Sequence, residues 1–375
     1  MKRLLPLLLL SAALLLGGCM PATIVPYEAT YTDLGIPALR EYPEGIPARN
    51  IWDMIVVGDA LWVGGGDYDK NSGPVTMHYY DLAAGQWQTA NALPDEEISH
   101  FVTVGETVIA TGTDPKENWD FGNYYRLTAD RTWETVRNLP GGIHNYDMVE
   151  FDGQWFAALG VVEGNSPIVC SADGGETFSA VPMQKDGQPL DTAGGVYIRV
   201  HRFFVQDGGL YALFRFSDGE DLYEQSVYRY DGEAFVYHAD WSGAVRRTRY
   251  NHKVVSAAEV WGGSTYLATG RLYRTADFID VEEVSFPEGV QITDLRQEDG
   301  ALYALGCRYD AEQKQYRITL WKSVADGFAC VWYFDYALPA ISFLRHQNVT
   351  YIGVGSLSDQ PHYQNGTLLC VPDKE

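Results

Sequence analysis

Residues 61–67 read LWVGGGD, a short apolar strand running into glycines, and the tetrapeptide before it, VGDA (57–60), is a tight-turn sequence. The same turn-and-strand pair recurs six more times. The strands are VIATGTD (108–114), WFAALGV (155–161), LYALFRF (210–216), TYLATGR (265–271), LYALGCR (302–308) and TYIGVGS (350–356). The turns before them read VGET, FDGQ, QDGG, WGGS, EDGA and HQNV. Gly, Asp and Asn between two apolar runs are hairpin signals, because they tolerate the positive φ of a two-residue loop. The strands begin 47, 47, 55, 55, 37 and 48 residues apart.

Outward from each strand the unit continues into a third strand, a turn and a fourth, as in MHYYDLAAGQWQTANALP (77–94) and NYYRLTADRTWETVRNLP (123–140). A four-stranded unit of about 45 residues is one blade of a propeller. The seventh unit stops after its third strand, at GTLLCVPDKE (366–375), while ATYTDLGIPA (29–38) resembles an orphan fourth strand. Completing one blade from both chain ends leaves no open edge. One sheet of this size cannot bury both faces, whereas radial stacking covers them with the strands' Trp, Tyr and Phe. No sustained helical periodicity competes. The expectation is an all-β, seven-bladed propeller of four-stranded antiparallel blades, its last blade closed by an N-terminal strand.

The chain begins with Lys2 and Arg3, an apolar stretch from Leu4 to Leu16, and then Leu16-Gly17-Gly18-Cys19. This resembles a bacterial lipobox, in which the peptide is cut before the cysteine and the thiol is acylated. The resemblance implies a signal peptide over 1–18, a lipidated tether over 19–28 anchored at Cys19, and one propeller over 29–375. It implies an exported protein held on a bacterial membrane, facing the cell surface or periplasm, with membrane contact through the anchor only. Cleavage removes Lys2 and Arg3 and takes the formal charge from −23 to −25. Such an acidic surface argues against nucleic acid as a partner. Cys170, Cys307, Cys330 and Cys370 remain, without CxxC or zinc-site spacing. Cys307 and Cys330 are the only two close enough in sequence to suggest a disulfide, but burial of the cysteines as unpaired small hydrophobes is the preferred reading.

SADGGETF (171–178) matches the Asp-box pattern S-x-D-x-G-x-T-[WF] at Ser171, Asp173, Gly175, Thr177 and Phe178. WVGGGD with HYYDLAAGQW and ALP in the first unit resembles a kelch repeat. The chain thus resembles the sialidase-like (BNR) and kelch propeller families. In Asp-box proteins the Ser and Asp brace the turn between a blade's third and fourth strands, which assigns these residues a structural role. That turn lies on the face opposite the one where sialidases keep their active site. The sialidase F/Y-R-I-P motif is absent; the nearest sequence is LREYP (39–43), with Arg40 out of place.

If strand directions alternate, first strands begin on that opposite face, here called the top, around the central channel. The segments there are IWD (51–53), ISH (98–100), HNYD (144–147), IRVHR (198–202), YNHK (250–253), TDLR (293–296) and FLRH (343–346). They assemble a candidate ligand site at the channel mouth. Its cations are His100, His144, Arg199, His201, Arg202, His252, Lys253, Arg296, Arg345 and His346, with Asp53, Asp147 and Asp294 as counter-charges. Such a set suits an anionic or polyhydroxylated ligand, or else charges paired across a water-filled channel. The long loops between second and third strands add Trp119, Phe121, Tyr223 and Tyr363, flat faces for sugar rings. Asp67 with Asp69, or Asp114 with Asp120, offers oxygen ligands for calcium, but none has the D-x-[DN]-x-[DN]-G spacing. No cofactor or metal is implied. The function expected is a surface-anchored, non-catalytic binding module for a glycan or protein on the top face. The alternatives are a glycoside hydrolase or lyase at the channel mouth, which would need a carboxylate pair, and an envelope assembly scaffold.

Overall fold

The structure, a computed structural model, describes residues 24–219, 223–245, 257–356 and 361–374. Cys19, His252 and Lys253 lie outside the described residues. Each repeat folds as an antiparallel four-stranded sheet. The first runs through Asp53–Val57, Ala60–Gly64, Val75–Asp81 and Gln86–Leu93. The six that follow open with first strands Asp95–Val104, Gly142–Phe151, Tyr197–Gln206, Ala257–Trp261, Gln291–Glu298 and Ala340–His346. The chain is a β-propeller, and its seven sheets are called blades 1–7 in chain order.

The hairpins between first and second strands follow from their turn residues. Asp152-Gly153, Asp207-Gly208, Gly262-Gly263, Asp299-Gly300 and Gln347-Asn348 all have positive φ at both central positions, as a type I′ turn requires. In blades 1 and 2 only the first central residue, Gly58 or Gly105, is positive. This is the pattern of a type II′ turn.

Second strands are sandwiched between blades, so they read as near-continuous apolar runs; every residue of Ala60–Gly64 is buried. Aromatic side chains fill the interfaces. Trp62 of blade 1 meets Trp133 of blade 2 edge-on at 5.3 Å, and Trp241 of blade 4 stacks over Phe278 of blade 5 at 6.2 Å. Each such side chain contributes about 1.5–3 kcal/mol by leaving water.

The ring closes as its ends suggest. Thr32–Asp33 pairs antiparallel with the third strand of blade 7, Thr32 opposite Cys370 and Asp33 opposite Leu369. Tyr27–Glu28 runs parallel to the outermost strand of blade 6, opposite Trp332 and Tyr333. Blade 4 carries a similar addition, with Met183–Lys185 parallel to its strand Phe235–Asp240. The four cysteines downstream of Cys19 are free thiols. Cys307 faces Ile318 and Cys330 faces Trp321 in the ladders of blade 6, which leaves the suggested bridge unmade.

Candidate functional site

Strand register aligns one residue per blade around the channel. The fifth residue of each second strand faces Asp53, His100, Asp147, Arg202, Ala257, Asp294 and Ser342, in blades 1 to 7. In five blades this residue directly follows a β-bulge, at Ser99, Tyr146, His201, Thr293 and Ile341. A bulge inserts one unpaired residue and re-aims its neighbours. Ring residues therefore point into the channel, and the bulged residues point elsewhere.

The three aspartates tie successive blades together. Phe101 N donates to Asp53 Oδ2, Phe203 N to Asp147 Oδ2 and Phe343 N to Asp294 Oδ2, each at 2.8 Å. The basic side chains then bond to the aspartates. His100 Nδ1 donates to Asp53 Oδ2 at 2.8 Å, and His100 Nε2 accepts from Arg202. Arg296 donates to Asp53 Oδ1 and, through Nε, to the Phe343 carbonyl at 3.0 Å. Burial and the neighbouring Arg202 push the His100 pKa below its ordinary value, which suits a neutral ring protonated on Nδ1. Glu259 of blade 5 joins Arg296 at the edge of a cavity of about 210 Å³. Among the described residues, the charged groups at the channel are bonded largely to each other.

The bulged residues of blades 2–4 line a second, larger pocket of about 620 Å³, displaced from the axis over blades 1–4. Its floor is a run of rings. Tyr68 lies 5.7 Å from His144, His144 stacks 5.3 Å from Tyr146, and Tyr146 sits 4.6 Å from His201. Trp119 stands at the rim, 55% exposed. On the blade 4 side, Arg199 Nη1 donates to the Tyr146 hydroxyl at 3.1 Å and its guanidinium lies over Tyr197. Arg215 beside it covers the ring of Tyr223. On the opposite side Asp69, Glu97 and Asp114 line the wall. Burial, with Glu96 nearby, pushes the Asp114 carboxyl up to about 6. Burial, Arg199 and His201 hold the His144 pKa well below its ordinary value.

The single channel-mouth site expected from sequence is thus divided. Asp53, His100, Asp147, Arg202, Asp294 and Arg296 form the ring. His144, Arg199 and His201 belong to the off-axis pocket, with Trp119 at its rim and Tyr223 against Arg215. Arg345 and His346 are at neither place. They end the first strand of blade 7, three and four residues beyond its ring position. Arg345 is buried against Glu298 and Asp373, with Nη2 2.7 Å from Asp373 Oδ2. His346 adjoins the Gln347-Asn348 turn. Arg199, Arg202 and Arg345 therefore do not converge, and a single anionic pocket built from all three is excluded. Phe121 and Tyr363 are exposed, but neither lines the pocket.

Asp67 caps a 3-10 turn by accepting from Asp69 N at 3.1 Å. Among the described residues no group of three or more His, Cys, Asp or Glu side chains could hold a metal ion. Sequence reasoning missed Tyr68, Tyr146, Tyr197 and Arg215. Tyr146 lies inside the quoted HNYD segment, but nothing in a period-two pattern announces a bulge.

The SADGGETF turn is a closed bracket. Ser171 Oγ donates to Asp173 Oδ1 at 2.6 Å and accepts from Gly175 N at 2.8 Å, while Thr177 N and Oγ1 donate to the two Asp173 oxygens. Tyr124 and Asn138 of blade 2 donate to the Gly175 carbonyl, each at 2.8 Å. A Cβ on Gly175, at φ +85°, would lie 2.7 Å from the Tyr124 hydroxyl, so glycine is required there. Ser171→Ala should lower unfolding free energy by about 1–2 kcal/mol in urea titration. A stability loss near zero would remove the bracing role.

No family model and no curated protein sequence matches the chain. Among solved structures it is similar to Saccharomyces cerevisiae Sqt1, at 11% identity and a TM-score of 0.50, over 93% of this chain and 100% of that one. The polysaccharide lyase Uly1 aligns at 12% identity and 0.46, over 94% and 98%. The β-propeller domain of the Pyrococcus furiosus Trilobed protease aligns at 7% and 0.47, over 87% and 93%. Likeness at this level concerns fold alone.

Proposed function

We propose that this propeller is a non-catalytic binding module for a glycan, seated in the off-axis pocket of the top face. One observation carries the reading: a pocket of about 620 Å³ floored by Tyr68, His144, Tyr146 and His201, with the exposed Trp119 at its rim and polar groups on both walls. Concave sites with flat apolar surfaces and a few placed polar groups suit sugar rings, whose faces are apolar and whose edges carry hydroxyls. The N-terminal strand supports an outward-facing site. Tyr27–Glu28 runs parallel to the outer strand of blade 6, which climbs from the Asp-box side to the top. Chain preceding Tyr27 therefore departs on the Asp-box side. With Cys19 lipidated, that side would face the membrane and the pocket would face away from it.

The test is a glycan array probed with the mature chain in detergent, followed by titration of the best ligand. Trp119→Ala and Arg199→Ala should each weaken that ligand about tenfold, a loss of about 1.4 kcal/mol. Arg345→Ala should not weaken it. The absence of any array signal would overturn the proposal.

A second reading, a hydrolase or lyase, draws on Asp114. Its carboxyl, raised to about 6, lies 3.5 Å from His144 Nδ1, in a pocket where Arg199 holds the Tyr146 hydroxyl. Perturbed acids and bases gathered in a cleft suit proton transfer. Product formation from array hits would favour it over simple binding.

A further inference from the structure

The off-axis pocket is bipolar. Most arginines among the described residues have a carboxylate within 4 Å, as with Arg126, Arg131, Arg271 and Arg317. Arg199 and Arg215 have none. Arg199 donates to a phenol and lies over Tyr197; Arg215 lies over Tyr223, and its buried Nε has no hydrogen-bond partner. In a chain of formal charge −23, two adjacent arginines without carboxylates leave an anion subsite open on blade 4.

The facing wall has the opposite character. Asp69, Glu97 and Asp114 come from blades 1 and 2, and the crowded carboxylates around Asp114 help hold its carboxyl above its ordinary range. Between the walls, His144 is 95% buried, and its Nδ1 is without a hydrogen-bond partner 3.5 Å from Asp114 Oδ1. The ring floor beneath offers π faces, which also attract cations.

Resting on the glycan reading above, we infer that the ligand is zwitterionic: an amino sugar carrying a carboxylate, its acid on Arg199 and Arg215 and its ammonium toward Asp114. Neither charge alone complements the pocket. A purely anionic sugar meets the acidic wall, and a purely cationic one meets the guanidinium groups. Both mismatches cost affinity, because like charges brought together out of water repel strongly.

Calorimetric titration of the mature chain with three monosaccharides tests this. Muramic acid carries both charges, glucuronic acid only the carboxylate and glucosamine only the amine. Muramic acid should bind at least tenfold more tightly than either of the others. Arg215→Gln should reduce it to the level of glucosamine, and Asp114→Asn to that of glucuronic acid. Asn suits position 114, whose φ of +54° it adopts readily. Equal binding of glucuronic acid, or variants that leave the preference intact, would overturn the inference. If neutral glycans bind the array while muramic acid does not, the zwitterion fails and the glycan reading stands. If no sugar binds at all, both fail together.

Discussion

Asp53→Ala should remove about 3–5 kcal/mol of unfolding free energy, because it breaks a buried charge network at its most connected point. Asp53 Oδ2 accepts from Phe101 N and His100 Nδ1, and Oδ1 accepts from Met54 N and Arg296. Its side chain is 5% exposed. Truncation leaves the Arg296 guanidinium with Asp294, at 3.8 Å, and the Glu259 carboxylate, and leaves two buried backbone donors without their acceptor. Asp53→Asn keeps an acceptor and the shape, so it should cost less than half as much. Arg296→Met in the Asp53→Ala background should be milder than in the parent, since the stranded charge is then gone. Guanidinium titration of the five proteins, parent included, reads all these differences. A loss below about 1 kcal/mol for Asp53→Ala would show that the ring is not what holds blades 1, 2 and 6 together.

The propeller was legible because its information is local and repeated. A turn with left-handed residues followed by an apolar strand needs no knowledge of distant contacts, and seven copies average out degenerate members such as the Gln347-Asn348 turn. The closing strand was legible for a related reason, as a surplus strand at one end matched a deficit at the other. The site was read less well because side-chain direction depends on the bulges. Asp53 is the first residue of its strand, whereas Asp294 is the fourth and His100 the sixth. Taking segments by their charge alone put FLRH in the ring, although Ser342 holds that place and Arg345, an odd number of residues on, points away from it. It also merged His144 and His201 with the ring, when the bulges at Tyr146 and His201 direct that group into a separate pocket. The aromatic floor escaped notice for the same reason: Tyr146 and Tyr68 look like ordinary propeller tyrosines until register is known.

Stability should rise, not fall, as pH is lowered from 7.5 toward 4 at one buried carboxyl, Asp95. This residue opens the first strand of blade 2 and is fully buried. Its Oδ1 accepts from the Tyr125 hydroxyl at 2.7 Å and Asn123 Nδ2 at 2.6 Å, but its Oδ2 has no partner. Gly112 is what makes the space, since a Cβ there would fall 1.9 Å from Oδ2. Burial outweighs the two hydrogen bonds and pushes the carboxyl up from 3.8 to about 6. A folded-state pKa above the unfolded one means that the native chain holds the extra proton between about pH 4 and 6. The stabilisation is complete below the unfolded pKa and is lost as pH rises through the folded one. Over that window the loss is on the order of 2–3 kcal/mol. Depressed carboxylates elsewhere, such as Asp335 paired with Arg317, work in the opposite sense, so the net profile mixes both signs. Asp95→Asn isolates the term. Its stability relative to the parent should improve steadily from pH 4 to pH 7.5 by that amount, because the amide cannot ionise at any pH. Parallel profiles for the two proteins would mean that Asp95 ionises as readily in the fold as in the open chain.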